Sequence, residues 1–333
     1  MTIHKPVLLH ESIEGLNLKS GDVVVDATLG GGGHSKRILE EIGEEGALIV
    51  MDVDFQAIKD FKFQISSAAA DQFPIKSHPE YSGQISNKIE SLGNIFLANS
   101  NFTGLENILK EIGIEKVDAI LADLGYSSIQ LEDESYGMSF LKDSELDMRL
   151  NKDQDLSAKK IVNEYSHKDL ERILKEYGEE KFSGNITNKI IEQRKEKKIE
   201  KTSELVELIN QAIPEKFKHG KLHPATKTFQ ALRIEVNREL DNLEKFVPAA
   251  IKSLKPGGRL AIISFHSLED RIVKNIFRVQ ARGCLCPPDF PKCVCGHEAE
   301  VKIVTRKPIV PGEEESLENP RSRSAKLRVC EKL

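Results

Sequence analysis

Residues 23–35, VVVDATLGGGGHS, constrain the fold of this chain more than any other stretch. Three β-branched residues run into Asp26, four consecutive glycines follow at 30–33, and Ile38, Leu39 and Ile42 then recur at helical spacing. The pattern predicts a buried strand, a turn without side chains and a helix N-terminus. In such a turn backbone amides approach a ligand closely because no Cβ intervenes. Two later segments, LADLGYSS (121–128) and LKPGGRLAIISF (254–265), read as further strand ends or entries of an open α/β sheet. The three together predict one cofactor-binding sheet with its ligand at the strand C-termini.

The remaining pattern fills in that sheet. ALIVM (47–51) is a second strand ending at Asp52-Val53-Asp54, and Asp54 can cap a helix carrying Ile58, Phe61 and Ile65. Residues 66–93 are rich in Ser, Ala, Gln and Asn and read as a polar insertion or mobile loop. Strands are expected at 94–98 and at 117–122, the latter ending at Asp123, with a helix over 105–112 between them. From about residue 132 strand signals vanish for nearly a hundred residues. One helical face holds Leu205, Leu208, Ile209, Ala212 and Ile213, and another long one holds Leu232, Val236, Leu240, Leu243 and Val247. The expected organisation is a sheet domain over 1–131, an inserted all-helical domain over 132–226, and a second sheet segment over 227–333 that ends in a basic tail.

No apolar run approaches the roughly 18 residues needed to span a bilayer, and the start lacks the features of a signal peptide. A cytoplasmic protein without a membrane partner is expected. Net charge is −5, from 48 basic and 53 acidic residues, which by itself argues against nucleic acid. The distribution argues otherwise. Residues 189–201 hold six Lys/Arg against three Glu; residues 216–238 hold six against one, with His219 and His223 added; 319–328 holds four and no acid. A globally acidic chain can present basic faces.

Several residues are candidates for chemistry. Asp52 lies about 20 residues beyond the glycine turn, where a carboxylate accepts hydrogen bonds from ribose hydroxyls. Ser35 stands where a dinucleotide enzyme would place the third glycine of G-x-G-x-x-G, which tilts the reading from a dehydrogenase toward an adenosylmethionine enzyme. Phe102, in SNF after the third strand, can stack on a purine. Asp123 is a carboxylate on a buried strand end and needs a partner or a task; Gly125, Ser127, Ser128 and Gln130 follow it. Lys227, Arg233, Arg238, His266 and Arg271 stand beside aromatic and hydroxyl groups, a mixture suited to a phosphate backbone and a base. Cys284, Cys286, Cys293 and Cys295 form C-x-C-x6-C-x-C with His297 nearby. Disulfides are not expected in a cytosolic chain, so zinc ligands and reduced thiols in a mobile loop are the two readings.

With these residues in view, the chain resembles the bacterial 16S rRNA (cytosine-N4) methyltransferase family, the MraW-type enzymes. The resemblance spans nearly the whole sequence through HKPVLLHE, DATLGGGGHS, MDVD, SNF, LADLGYSSIQLED, GMSFLKDSELDMRL, YGEEKFSGNI, HPATKTFQALRIEVN, LKPGGRLAIISFHSLEDRIVK and NPRSRSAKLRV. It implies a class I (Rossmann-like) methyltransferase sheet with a helical insertion, S-adenosyl-L-methionine as cofactor, and methylation of one cytidine in the decoding region of 16S rRNA in the small ribosomal subunit or its precursor. It also implies cofactor contacts at Gly32, Gly33, His34, Asp52, Phe102, Asp123 and Gln130. The chain departs from the family pattern in a longer segment between Asp52 and Phe102, in Lys227 where Arg is usual, and in Tyr126 where a smaller or apolar residue is usual. The cysteine cluster occurs in only part of the family and is therefore not expected to be catalytic. Asp123 is the candidate acceptor for the cytosine amine. An NAD-dependent dehydrogenase and a non-catalytic RNA-binding factor are the alternative functions.

Overall fold

A computed structural model describes residues 5–67, 83–86, 88–218, 220, 222–287, 290 and 292–333. His4, His219 and most of the expected polar insertion lie outside them. The chain divides into two compact units, one of residues 3–125 and 240–333, the other of residues 126–239.

The first unit is built on nine strands: β1 (Val23–Asp26), β2 (Ala47–Asp52), β3 (Gly83–Ser86), β4 (Ile89–Leu92), β5 (Ile95–Asn99), β6 (Val117–Asp123), β7 (Leu254–Ser264), β8 (Val301–Ile303) and β9 (Lys326–Lys332). Their order across the sheet is β3-β4-β5-β2-β1-β6-β7-β9-β8. The central five pair in parallel, and β4 and β9 add antiparallel neighbours at either side. A parallel centre must be covered on both faces, and the alternation of side chains shows that it is. Val25, Ile49, Met51, Phe96, Ile120, Ala122 and Ile262 enter one apolar cluster with Phe246, Val273 and Phe277. Val24, Leu48, Val50, Leu97, Leu121, Ala261 and Ile263 enter the other with Ile38, Leu39 and Phe61. Helices Gly33–Ile42 and Phe55–Ser67 connect the parallel strands as the sequence predicts.

Two expectations at the edges need correction. The end of the expected insertion is an antiparallel ribbon, because Ile89 and Ser91 face the core from β4 and pair with Ala98 and Phe96 of β5. The basic tail is only partly a tail: Arg321 and Arg323 lie in a short helical turn, Pro320–Ser324, and Lys326 to Arg328 begin an internal strand. In β9 Leu327, Val329 and Cys330 are fully buried between β7 and β8, so only alternate residues carry the basic pattern.

The second unit is helical, with Ala158–Glu164, His167–Glu176, Ser183–Glu196, Thr202–Ala212 and Thr226–Asn237 as its main elements. It is wider at both ends than the expected 132–226. Phe229, Ala231, Leu232 and Val236 belong to its core with Leu170, Ile173, Ile186 and Leu205, so the Thr226–Asn237 helix cannot be assigned to the sheet domain. The long helix expected through Leu232 and Val247 is broken. Arg238 adopts φ +50°, and a new helix, Glu239–Ser253, starts beyond it. Hydrophobic spacing continues across one left-handed residue, so periodicity does not reveal the break.

Candidate active site

The C-terminal ends of β1, β2, β5 and β6 carry the candidate residues, where an open parallel sheet places its ligands. At the end of β1 the chain turns through the glycines. Gly30 has φ +51° and Gly32 φ +76°, conformations open to glycine at little cost. A Cβ on Gly32 would meet the Phe61 ring at 2.5 Å, and one on Gly33 would meet Pro6 at 2.9 Å. The bare backbone is therefore required by the protein's own packing as well as by any ligand.

The turn is fastened to β2. Gly30 donates its amide to Asp52 Oδ2 at 3.0 Å, and Asp54 donates to Asp52 Oδ1 at 2.8 Å. Each carboxylate oxygen keeps a further lone pair for ligand hydroxyls. Burial pushes the Asp52 carboxyl up to about 6 against these hydrogen bonds. The end of β5 is tied to the same place, since Asn99 Nδ2 donates to the carbonyls of Asp52 and Val53. Phe102 follows, half-buried, with its ring 4.9 Å from Phe246.

Beneath the turn lie two carboxyls. Asp26 is fully buried, accepts from Ser35 Oγ at 2.6 Å, and is pushed up to about 7 chiefly by burial. Asp123, which ends β6, is fixed by its backbone amide donating to Thr28 Oγ1 at 2.6 Å. Its Oδ2 lies 3.7 Å from His34 Nδ1, and its buried Oδ1 has no hydrogen-bond partner among the described residues. Burial, then repulsion from Asp26 and Glu269, holds the Asp123 carboxyl well above the usual carboxylate range. His34 Nε2 lies 3.1 Å from the carbonyl of Val7, which only accepts, so the neutral ring carries its proton on Nε2. Gly125, at φ +104°, takes the chain away from the strand end.

A buried orphan carboxyl oxygen on Asp123 and a carboxylate with lone pairs to spare on Asp52, at strand ends on the two sides of β1, suit a ligand that presents hydrogen-bond donors and positive charge. Thr28 and Glu269 were not singled out in the sequence, and Ser35 was read there only as a departure from the dinucleotide glycine pattern, not as a partner of Asp26. Glu269 carried a signal in HSLE, the spacing of a capping box: it accepts from the amides of Phe265 and His266 at the start of the Ser267–Gln280 helix.

The other expected residues fall as follows. Gln130 lies in the helical unit, where its Oε1 accepts from the Ser127 amide at 2.9 Å and Ser127 Oγ accepts from the Gln130 amide at 3.2 Å. Arg233 binds Glu239 through two hydrogen bonds of 2.7 and 2.8 Å and covers the Tyr126 ring at 4.7 Å. Lys227 Nζ donates to the carbonyl of Glu179. Arg238 is exposed, and Arg271 is exposed on the Ser267–Gln280 helix. His266 is nearly buried and caps that helix, with Nδ1 accepting from the Glu269 amide. The sequence reading missed a basic cavity of about 590 Å³ in the sheet unit, lined by Lys274, Arg278, Lys302, Arg306 and Arg328. These cations are scattered over three segments, so no local charge run announces them. The four cysteine sulfurs lie within 4.8 Å of one another.

The MraW methylase family model matches residues 1–333. The chain belongs to that family. A protein of Clostridium botulinum (strain Kyoto / Type A2) named ribosomal RNA small subunit methyltransferase H is 48% identical over 99% of both chains. One of the same name from Halothermothrix orenii is 46% identical over 100% of this chain and 99% of its own. Among solved structures, an rRNA methylase from Streptococcus thermophilus covers 100% of this chain and 99% of its own at 12% identity, with a TM-score of 0.43. That likeness is too slight to add to the fold described above. A methylase family fits the alignment of glycine turn, Asp52 and Asp123 along one sheet edge. No helix among the described residues is long and apolar enough to cross a membrane.

Proposed function

We propose that this chain is an S-adenosylmethionine-dependent methyltransferase that methylates the exocyclic N4 amine of one cytidine in the decoding region of 16S rRNA, in the small ribosomal subunit or its precursor. The reaction belongs in the cytoplasm, where that RNA is assembled. Family membership supports the reaction class, and the named relatives support the RNA.

One observation carries the choice of cofactor: the unpartnered, buried Oδ1 of Asp123 in a chain of repelling carboxyls, with Asp123 against Asp26 and Glu269 and Asp26 against Asp52. A ligand bearing cationic sulfonium and ammonium groups relieves that repulsion. The pyrophosphate of a dinucleotide would add to it, which disfavours the dehydrogenase alternative. Gly32, Gly33, His34, Asp52, Phe102 and Asp123 would hold S-adenosylmethionine, with Asp52 taking the ribose hydroxyls and Phe102 the adenine. When bound, the cofactor supplies a methyl carbon made electrophilic by its sulfonium sulfur.

The cytosine amine is a poor nucleophile because its lone pair is delocalised into the ring. An acceptor on an amine hydrogen localises that pair, and alignment with the methyl carbon lowers the barrier further. Asp123 serves as that acceptor. With the cofactor held there, Asp123 would take the proton that the amine gives up as it receives the methyl group. The target base must leave its stack to reach the pocket. Lys274, Arg278, Lys302 and Arg306, none of them in an ion pair among the described residues, supply phosphate contacts together with Lys227, Arg238 and Arg271.

The deciding experiment is nucleoside mass analysis of 16S rRNA from cells lacking the protein. N4-methylated cytidine should disappear and return when the gene is restored. Unchanged nucleoside content would overturn the assignment.

A further inference from the structure

We propose that Cys284, Cys286, Cys293 and Cys295 bind one zinc ion in a closed tetrahedral site that clamps the loop between the Ser267–Gln280 helix and β8. The first ground is distance. With zinc–sulfur bonds near 2.3 Å, a regular tetrahedron places its sulfurs about 3.8 Å apart. Cys284 Sγ lies 3.4 Å from Cys293 Sγ and 3.8 Å from Cys295 Sγ, the latter two are 3.6 Å apart, and all four fall within 4.8 Å of one another. A multinuclear iron–sulfur centre would hold its thiolates farther apart, so one metal ion fits the spacing.

The second ground is the backbone. The amide of Leu285 donates to Cys295 Sγ at 3.3 Å, that of Cys286 to Cys284 Sγ at 3.4 Å, and that of Val294 to Cys286 Sγ at 3.4 Å. Four thiolates around a dication leave two negative charges in excess, and amide donors aimed at sulfur offset them. Each C-x-C pair thus sends an amide toward sulfur, and the two pairs face each other across the loop.

His297 is not needed as a ligand. Its Nε2 lies 3.2 Å from the carbonyl of Val279 and ties the loop end back to the helix. Four protein ligands leave no open position for water or substrate, so the ion is structural and takes no part in methyl transfer.

The third ground is the need for a clamp. Leu285, Phe290 and Val294 are 43%, 50% and 74% exposed, so the described residues of the loop form no apolar core of their own. A short loop that buries so little requires some other cross-link to hold one shape. The residues at its two roots, Ala281 and Ala299, also line the basic cavity. Binding converts four thiols to thiolates and releases their protons, which makes retention of the metal weaker at low pH.

The test uses the full chain, purified under reducing conditions without chelator. Elemental analysis should find about one zinc per chain. Cobalt(II) offered to the metal-free protein should give the ligand-field bands of a tetrahedral thiolate site, at a stoichiometry of one. The double variant C286S/C293S should lose the metal yet keep the far-ultraviolet circular dichroism of the sheet. Metal-free wild type should be cleaved within residues 282–298 by added protease on the order of tenfold faster than the zinc form. Reduced protein that takes up neither zinc nor cobalt, an octahedral cobalt spectrum, iron in place of zinc, or two disulfides in freshly prepared protein would each overturn the proposal. So would equal protease resistance with and without the metal.

Discussion

The amide of Gly30 donates to Asp52 Oδ2 at 3.0 Å, which makes the glycine turn after β1 and the carboxylate at the end of β2 one rigid unit. Asp52 therefore has two duties, holding the turn and receiving a ligand. Asp52→Ala should weaken S-adenosylmethionine binding by about 1–3 kcal/mol, the scale of leaving polar partners unpaired. Isothermal calorimetry reads this directly. Asp52→Asn can still accept from one amide and should lose less; equal affinity in all three proteins would remove Asp52 from the cofactor site.

Asp123→Asn keeps the size of the side chain and the backbone bond to Thr28. If Asp123 accepts from the cytosine amine, single-turnover rates at saturating cofactor should fall by about 10²-fold or more. A loss of cofactor affinity with a near-normal saturated rate would assign it to orienting the methyl donor instead.

Asp26 gives the fold a pH dependence with a definite sign. Its carboxyl is raised from 3.8 to about 7, chiefly by burial, so the folded state holds a proton that the unfolded state releases at lower pH. Its stabilising contribution is complete below the unfolded value and is lost as pH rises through the folded one. Thermal unfolding of the free protein should show a decline in stability contributed by this group between about pH 4 and pH 7. Asp26→Asn should flatten that decline, and an unchanged pH profile would refute the assignment.

Arg233 and the cavity cations should behave differently on substitution. Arg278→Ala and Arg306→Ala should each reduce the salt dependence of rRNA binding by roughly 0.7–0.9 in log–log slope. Arg233 is held by Glu239 and lies over Tyr126. Arg233→Ala should appear mainly as a lower unfolding temperature of the helical unit. A salt slope that responds only to Arg233 would reverse these roles.

The sequence alone determined the five parallel strands at the centre of the sheet and the glycine turn after the first of them. VVVDATLGGGGHS can only be a strand, a glycine turn and a helix, because the run of β-branched residues and the four bare positions leave no other local structure. MDVD and LADLG mark two more strand ends for the same reason. The motifs also carried the family. What only tertiary structure decided are features that depend on contacts between distant segments. Asp26 and Ser35 meet under the turn because the helix folds back on β1, and nothing local marks the serine as a donor rather than a failed glycine. Arg233 is spent on Glu239 because one left-handed residue, Arg238, breaks a helix whose apolar spacing runs straight through. Lys326 and Arg328 read as tail, yet alternate with buried Leu327 and Val329 in an internal strand. Charge patterns describe one segment at a time, whereas exposure and pairing are set by whatever packs against it.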